Sequence, residues 1–202
     1  MKVRLLALAA LPLFAAASHA VTLESMKAQS PLAAAPAMRF AKRPRTGTMT
    51  GGFGGAPVAF TLDRNAWTIT GGLNGFPLDV KIDQDAGKIT GGANGSAIDL
   101  AFQWSPEKIS YDGAANLSPV SLVVDWTAKT IKGYSNHSPI DVTFDLEAGT
   151  AVGTANHAPV DLKYDQVSGK LTGGINHAAI DATLVNLDFS DLLQYFLLLL
   201  KP

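Results

Sequence analysis

The sequence predicts an all-β fold: an antiparallel up-and-down meander of seven hairpins, about 14 strands, closed into a barrel around an apolar C-terminal helix. Three observations carry this. A unit written I-T-G-G-x-N-(G/H)-x-P-(I/V)-D-(L/V)-x-(F/Y)-D-x-x-x-G-K recurs from Thr46 to Val185, its asparagine returning at Asn74, Asn94, Asn116, Asn136, Asn156 and Asn176, with Gly54 in that place in the first copy. Within each unit apolar residues alternate with polar ones, as in Ile98-Asp99-Leu100-Ala101-Phe102-Gln103, the period of a half-buried strand. Two turn compositions, Asn-(Gly/His)-x-Pro and Asp-x-x-x-Gly, separate the alternating stretches.

Residues 1–20 read as a signal peptide, with Lys2 and Arg4 ahead of an apolar stretch and Ser18-His19-Ala20 as the cleavage site. Residues 21–45 are rich in Ala, Pro and Ser and read as a flexible leader; its basic cluster, Arg39, Lys42, Arg43 and Arg45, fits a solvated linker. The repeat domain is expected over 46–185. In each unit a short strand such as Lys88–Asn94, with Ile89, Gly91 and Ala93 inward, leads through the Asn turn into a second one such as Ile98–Gln103. Gly91 is expected to leave room for Leu100. The same facing is expected for Ile140, Val142 and Phe144 and for Val160, Leu162 and Tyr164.

The fourth unit carries an insertion: Asn94 and Asn116 are 22 positions apart, where the other asparagines are 20 apart. An insertion of two preserves the facing of every later side chain, whereas one of one or three would reverse it, which favours strands over helices.

The alternative architecture is a β-solenoid, each repeat one coil. The strand-loop-strand period and the G-x-x-N element resemble curlin-type amyloid repeats, a resemblance that implies such stacking. The glutamines that ladder in that family are absent, and no residue role is carried across. Pro57, Pro77, Pro119, Pro139 and Pro159 share one place at the start of the second strand, where stacking would remove a ladder hydrogen bond at every coil and a hairpin mouth would not.

A 14-strand meander must hide its apolar face. Residues 186–202 supply a partner: Ser190 as N-cap, Asp191 at the positive end, Lys201 at the negative end, and Leu192, Leu193, Tyr195, Phe196 and Leu197–Leu200 apolar all round. This is too short to cross a bilayer, so a plug in the barrel is expected.

The chain has 202 residues, a formal net charge of −1 and no cysteine. That balance offers no electrostatic pull on nucleic acid, and the missing cysteine removes thiol catalysis, thiolate–metal sites and disulfides. No nucleotide or metalloprotease motif and no nucleophile–base–orienter set occurs. His137, His157 and His177 follow the asparagine in three successive units, but in a meander they lie about 9.5 Å apart, too far to converge on one ion. No metal or cofactor is expected. Asp79, Asp99, Asp141, Asp161 and Asp181 read as structural acceptors for the Asn turn; Ser121 replaces the aspartate in the fourth unit with no visible compensation. Candidate ligand-binding residues are the departures from the repeat, Trp67, Trp104, Tyr111 and Trp126, together with the three histidines.

The expected function is that of an exported, non-catalytic β-repeat protein, a scaffold or binding module of the bacterial cell envelope or the extracellular space. Its location would be the periplasm, the outer membrane surface or the medium, and envelope lipid, glycan or self-association are the partners in view. Alternatives are a barrel carrying an apolar ligand and a barrel embedded in the outer membrane.

Overall fold

The computed structural model describes residues 44–200; the expected signal peptide, most of the expected leader, Lys201 and Pro202 lie outside the described residues. Fourteen antiparallel strands follow one another around a closed barrel: β1 (Thr46–Phe53), β2 (Ala56–Asp63), β3 (Thr68–Leu73), β4 (Phe76–Asp83), β5 (Lys88–Ala93), β6 (Ser96–Trp104), β7 (Lys108–Ala115), β8 (Ser118–Asp125), β9 (Thr130–Ser135), β10 (Ser138–Asp145), β11 (Thr150–Ala155), β12 (Ala158–Asp165), β13 (Lys170–Ile175) and β14 (Ala178–Val185). β1 pairs with β14, Thr48 opposite Val185 and Phe53 opposite Ile180, so no edge is left open. The solenoid alternative is not formed: every sheet neighbour is antiparallel, and each repeat is a hairpin.

The two turn types divide between the two mouths. At one, Asn74-Gly75, Asn94-Gly95, Asn116-Leu117, Asn136-His137, Asn156-His157 and Asn176-His177 all have both residues at positive φ, between 52° and 81°. These are two-residue turns whose twist matches that of the strands they join. Asparagine tolerates the left-handed region better than other side chains, which explains why it recurs where Gly54 stands in the first copy. At the other mouth Asp63, Asp145 and Asp165 accept from backbone N–H groups two and three residues ahead, closing four-residue turns. The last turn residue is left-handed whether it is Gly87, Gly149 or Gly169, or instead Trp67 or Lys129.

The prolines sit where no ladder bond is lost. Pro77 faces Gly72 on β3, while pairing with β5 starts only at Asp79; Pro139 likewise precedes Ile140, the first residue paired to β11.

The two glycines of the T-G-G run have different duties. Gly51, Gly71, Gly91, Gly113, Gly133, Gly153 and Gly173 all have φ between 121° and 153°, and a Cβ there would lie 1.9–2.3 Å from a carbonyl oxygen of the neighbouring strand, β14 in the case of Gly51 and the preceding strand in the others. Only glycine fits, and one such kink in every hairpin bends the sheet toward closure. The second glycine has no such constraint, and Ala114, Tyr134 and Thr154 replace it in later units. The pairing also corrects the expectation for Leu100: Gly91 faces Val80 and Ile98, while Leu100 lies between Ile89 and Gly113.

The extra two residues of the fourth unit lengthen a hairpin, adding the pair Trp104–Ile109 beyond Phe102–Tyr111. Facing is kept, with Ile98, Leu100, Ile109 and Tyr111 all buried. The wall's inner face is continuously apolar, including Val142, Leu162, Leu122, Ile131 and Ile180.

Candidate functional site

The lumen is occupied by the chain's own C-terminal segment. β14 ends at the Asp-turn mouth, where Asn186 at φ 56° turns the chain inward and Leu187 covers Gly47, leaving no room there for a Cβ. Helix α1 (Phe189–Gln194) and the 3-10 turn η1 (Phe196–Leu199) follow, and every residue from Asp191 to Leu200 is buried. At the Asn-turn mouth, Asn94 and Asn116 donate their amides to the carbonyl of Leu200 at 3.4 and 3.2 Å. The tail therefore runs through the barrel from one mouth to the other.

Its cap differs from the expected one. Asp188, not Ser190, is the N-cap, accepting from the Asp191 N–H while the Asp191 carboxylate accepts from the Asp188 N–H; Ser190 lies in the first turn and donates to Asp188 at 2.6 Å. The one short helix expected of this segment is also divided at Tyr195.

Four sets of contacts fasten the tail. Arg64, in the β2–β3 turn, places its guanidinium 2.8 Å from Asp191 Oδ2, 2.9 Å from the Asn186 carbonyl and 3.0 Å from the Pro44 carbonyl. Both side chains of that ion pair are withdrawn from water, at 9% and 2% exposure. Tyr111 donates to the Gln194 carbonyl at 2.8 Å. Tyr164 donates to the Leu187 carbonyl at 3.2 Å and stacks on Phe189 with ring centroids 5.7 Å apart. The Asn collar closes the far end, and Asn74 links to Asn94 at 2.8 Å. Burial raises the Tyr111 phenol well above its ordinary range, with Tyr195 adding to the effect; burial likewise raises Tyr195, reinforced by Asp191 and opposed by Arg64.

The candidate ligand residues do not converge. Tyr111 is an interior anchor, 1% exposed. Trp67, Trp104 and Trp126 are half-buried at the Asp-turn mouth, packed against the core, with Trp126 edge-on to Phe144 at 5.6 Å. His137, His157 and His177 are exposed at the tips of the opposite mouth, second in their turns. Among the described residues no group of three or more His, Asp or Glu side chains is placed to hold a metal ion.

Asp79, Asp99, Asp141, Asp161 and Asp181 lie exposed on the outer wall, away from the Asn turns they were expected to serve. They are cross-strand partners instead. Asp79 faces Thr70 and Asp99 faces Thr90, while Asp141 pairs with Lys132 at 3.3 Å and Asp181 pairs with Lys170. The fourth unit does compensate for Ser121: the carboxylate has moved across the ladder to Asp112, which accepts from the Ser121 hydroxyl at 2.7 Å.

Sequence reasoning missed Arg64. Its equivalents in other units are Gln84, Trp126, Leu146 and Gln166, so an arginine there was a visible departure from the repeat. No family model, curated protein or solved structure matches this chain.

Proposed function

We propose that this chain is an exported, non-catalytic β-barrel that serves as a scaffold or binding module of the cell envelope or extracellular space. One observation carries the reading: two side chains that break the repeat, Arg64 and Tyr111, both hold the tail, joined there by Tyr164 from an ordinary repeat position. A repeat scaffold that had acquired catalysis would break its symmetry around a substrate; here the breaks surround a structural segment.

The outer wall supports a protein bathed in water. It presents Asp79, Lys81, Asp99, Asp141, Lys163 and Asp181, all exposed, where a lipid-facing wall is an apolar band. The basic start, apolar stretch and small-residue cleavage site of residues 1–20 support export.

The test is deletion of Asp191–Pro202. Buried leucine and phenylalanine side chains each contribute about 1.5–3 kcal/mol, and the tail carries several, against a typical domain stability of about 5–15 kcal/mol. The structural reading expects the truncated chain to lose its cooperative unfolding transition and its solubility. A truncated barrel that stays folded and takes up lipid would instead make it a carrier.

A further inference from the structure

The tail is a separate layer, joined to the wall at one end. β14 ends at Val185, and Asn186 and Leu187 are the whole connection before the cap at Asp188. Asn186 is exposed and held at φ 56°, a left-handed conformation in a residue that carries a side chain. Beyond this hinge, the contacts that seat the tail join segments at least 83 positions apart: Arg64 to Asp191, Tyr111 to Gln194 and Asn116 to Leu200. None of them depends on the two partners belonging to one chain. The tail of a second copy offers the same carboxylate, carbonyls and leucines, so exchange beyond the hinge preserves these contacts in number and kind.

The fold also fixes where a second copy would sit. The barrel is closed by β1 on β14, so no edge strand is available to trade. The tail enters the lumen at the Asp-turn mouth, where its own strand ends, and two hinge residues span at most about 7 Å. A tail crossing into a neighbour therefore brings two Asp-turn mouths rim to rim. All three tryptophans of the chain, Trp67, Trp104 and Trp126, lie at that mouth with Leu146, packed on the core and half-buried. Tryptophan with one face still open is a side chain that protein interfaces favour.

We propose that the Asp-turn mouth docks a second copy of this chain, each copy threading its tail into the other's lumen. The proposal rests on the binding-module reading and names its partner. The dimer is two-fold symmetric, with Arg64 of each barrel on Asp191 of the other chain and the tryptophan rims against each other. Association costs translational and rotational freedom; burial of the two rims and release of Asn186 from its left-handed turn offset it.

The experiment is a charge exchange across the buried pair. Full chains carrying Arg64→Asp or Asp191→Arg, and wild type, are refolded from urea singly and as a mixture of the two variants, then sized by light scattering after gel filtration. Within one chain, R64D sets two carboxylates together and D191R sets two cations together, at side chains 9% and 2% exposed. Only a heterodimer with exchanged tails restores an opposite-charge pair at both sites. The mixture is expected to hold at least about tenfold more soluble dimer than either variant alone, since breaking a buried pair weakens the fold by more than that factor. Wild type is expected to form a dimer whose share grows with the concentration at which it is refolded. Wild type that stays monomeric at every concentration overturns the proposal, and that result needs no variant to fold. So does a mixture with no more soluble dimer than its two components apart. Deletion of the tail tests whether the lumen must be filled, whichever copy fills it, so the scaffold reading and the exchange fail separately.

Discussion

The wall and the tail are stabilised in opposite ways. The wall is built from seven hairpins whose pairing is local and repeated, each with its own left-handed turns and glycine kink. The tail is held by contacts that occur once and span the chain: Arg64 to Asp191 across 127 positions, Asn94 to Leu200 across 106, Tyr111 to Gln194 across 83. Loss of one copy of a wall device leaves six others, whereas a tail contact has no substitute. The repeat thus encodes curvature, and the aperiodic residues encode what fills it.

The largest single-site effect is expected at Arg64. Replacing it with alanine leaves Asp191, 2% exposed, without its cation, and breaking a buried pair in this way costs about 3–5 kcal/mol. Urea unfolding measures it, and a loss below about 1 kcal/mol would place the ion pair among weak surface contacts.

On the wall, the two adjacent glycines separate conformation from packing. Gly91→Ala puts a Cβ 2.0 Å from the Asp79 carbonyl oxygen at φ 136° and is expected to cost about 3 kcal/mol or more. Gly92→Ala meets nothing closer than 3.5 Å and is expected to be neutral, or stabilising by up to about 1 kcal/mol. Equal costs for the two would mean that the kink is not what singles out the first glycine.

A smaller effect, of opposite sign, is expected at Leu117. It is 89% exposed and held at φ 60° in a turn where other units use glycine or histidine. Leu117→Gly relieves about 1 kcal/mol of backbone strain, and the urea midpoint should rise.

Extremes of pH sharpen the same contrast. Tyr111, Tyr164 and Tyr195 have phenols raised above the ordinary 10.0, so the folded state keeps protons that the unfolded chain releases. Their contribution is full below pH 10 and falls as pH rises beyond it, so alkali should release the tail, with phenolate absorbance growing together with unfolding. Asp63, Asp145 and Asp165 are lowered below 3.8, chiefly by the backbone N–H groups of Ala66, Ala148 and Val167. Their contribution is present above that value and is lost as pH falls through the lowered values, which weakens the wall turns. Asp145→Ala should flatten the acid limb of stability and leave the alkaline limb unchanged.

Most of the wall was legible in the sequence because a period-2 pattern, an even insertion and aligned prolines leave few arrangements of Ile98, Leu100 and Phe102. The apolar C-terminal segment as a plug followed from the need to hide that face. What stayed hidden was long-range or depended on register. The Arg64–Asp191 pair joins segments with no shared pattern. The exchange of carboxylate between Ser121 and Asp112 shows only once the ladder places them opposite each other. The duty of the first glycine was readable from its presence in all seven units beside a second glycine that is replaced in three, yet the reason, a carbonyl oxygen from the neighbouring strand, needs the folded sheet. Ser190 is a good N-cap residue by type, but Asp188-x-x-Asp191 fits a reciprocal capping pattern better.

The absence of cysteine makes one measurement especially direct. In Leu197→Cys the sole thiol replaces a side chain 3% exposed in the lumen, and in Val167→Cys it replaces one 98% exposed at a turn. With a tail that fills the barrel, the Leu197 thiol should react with a water-soluble disulfide reagent more than about a thousandfold more slowly than the Val167 thiol, at a rate set by opening of the fold. Comparable rates in the folded protein would mean that the tail lies outside the wall, and the account of the lumen would be wrong.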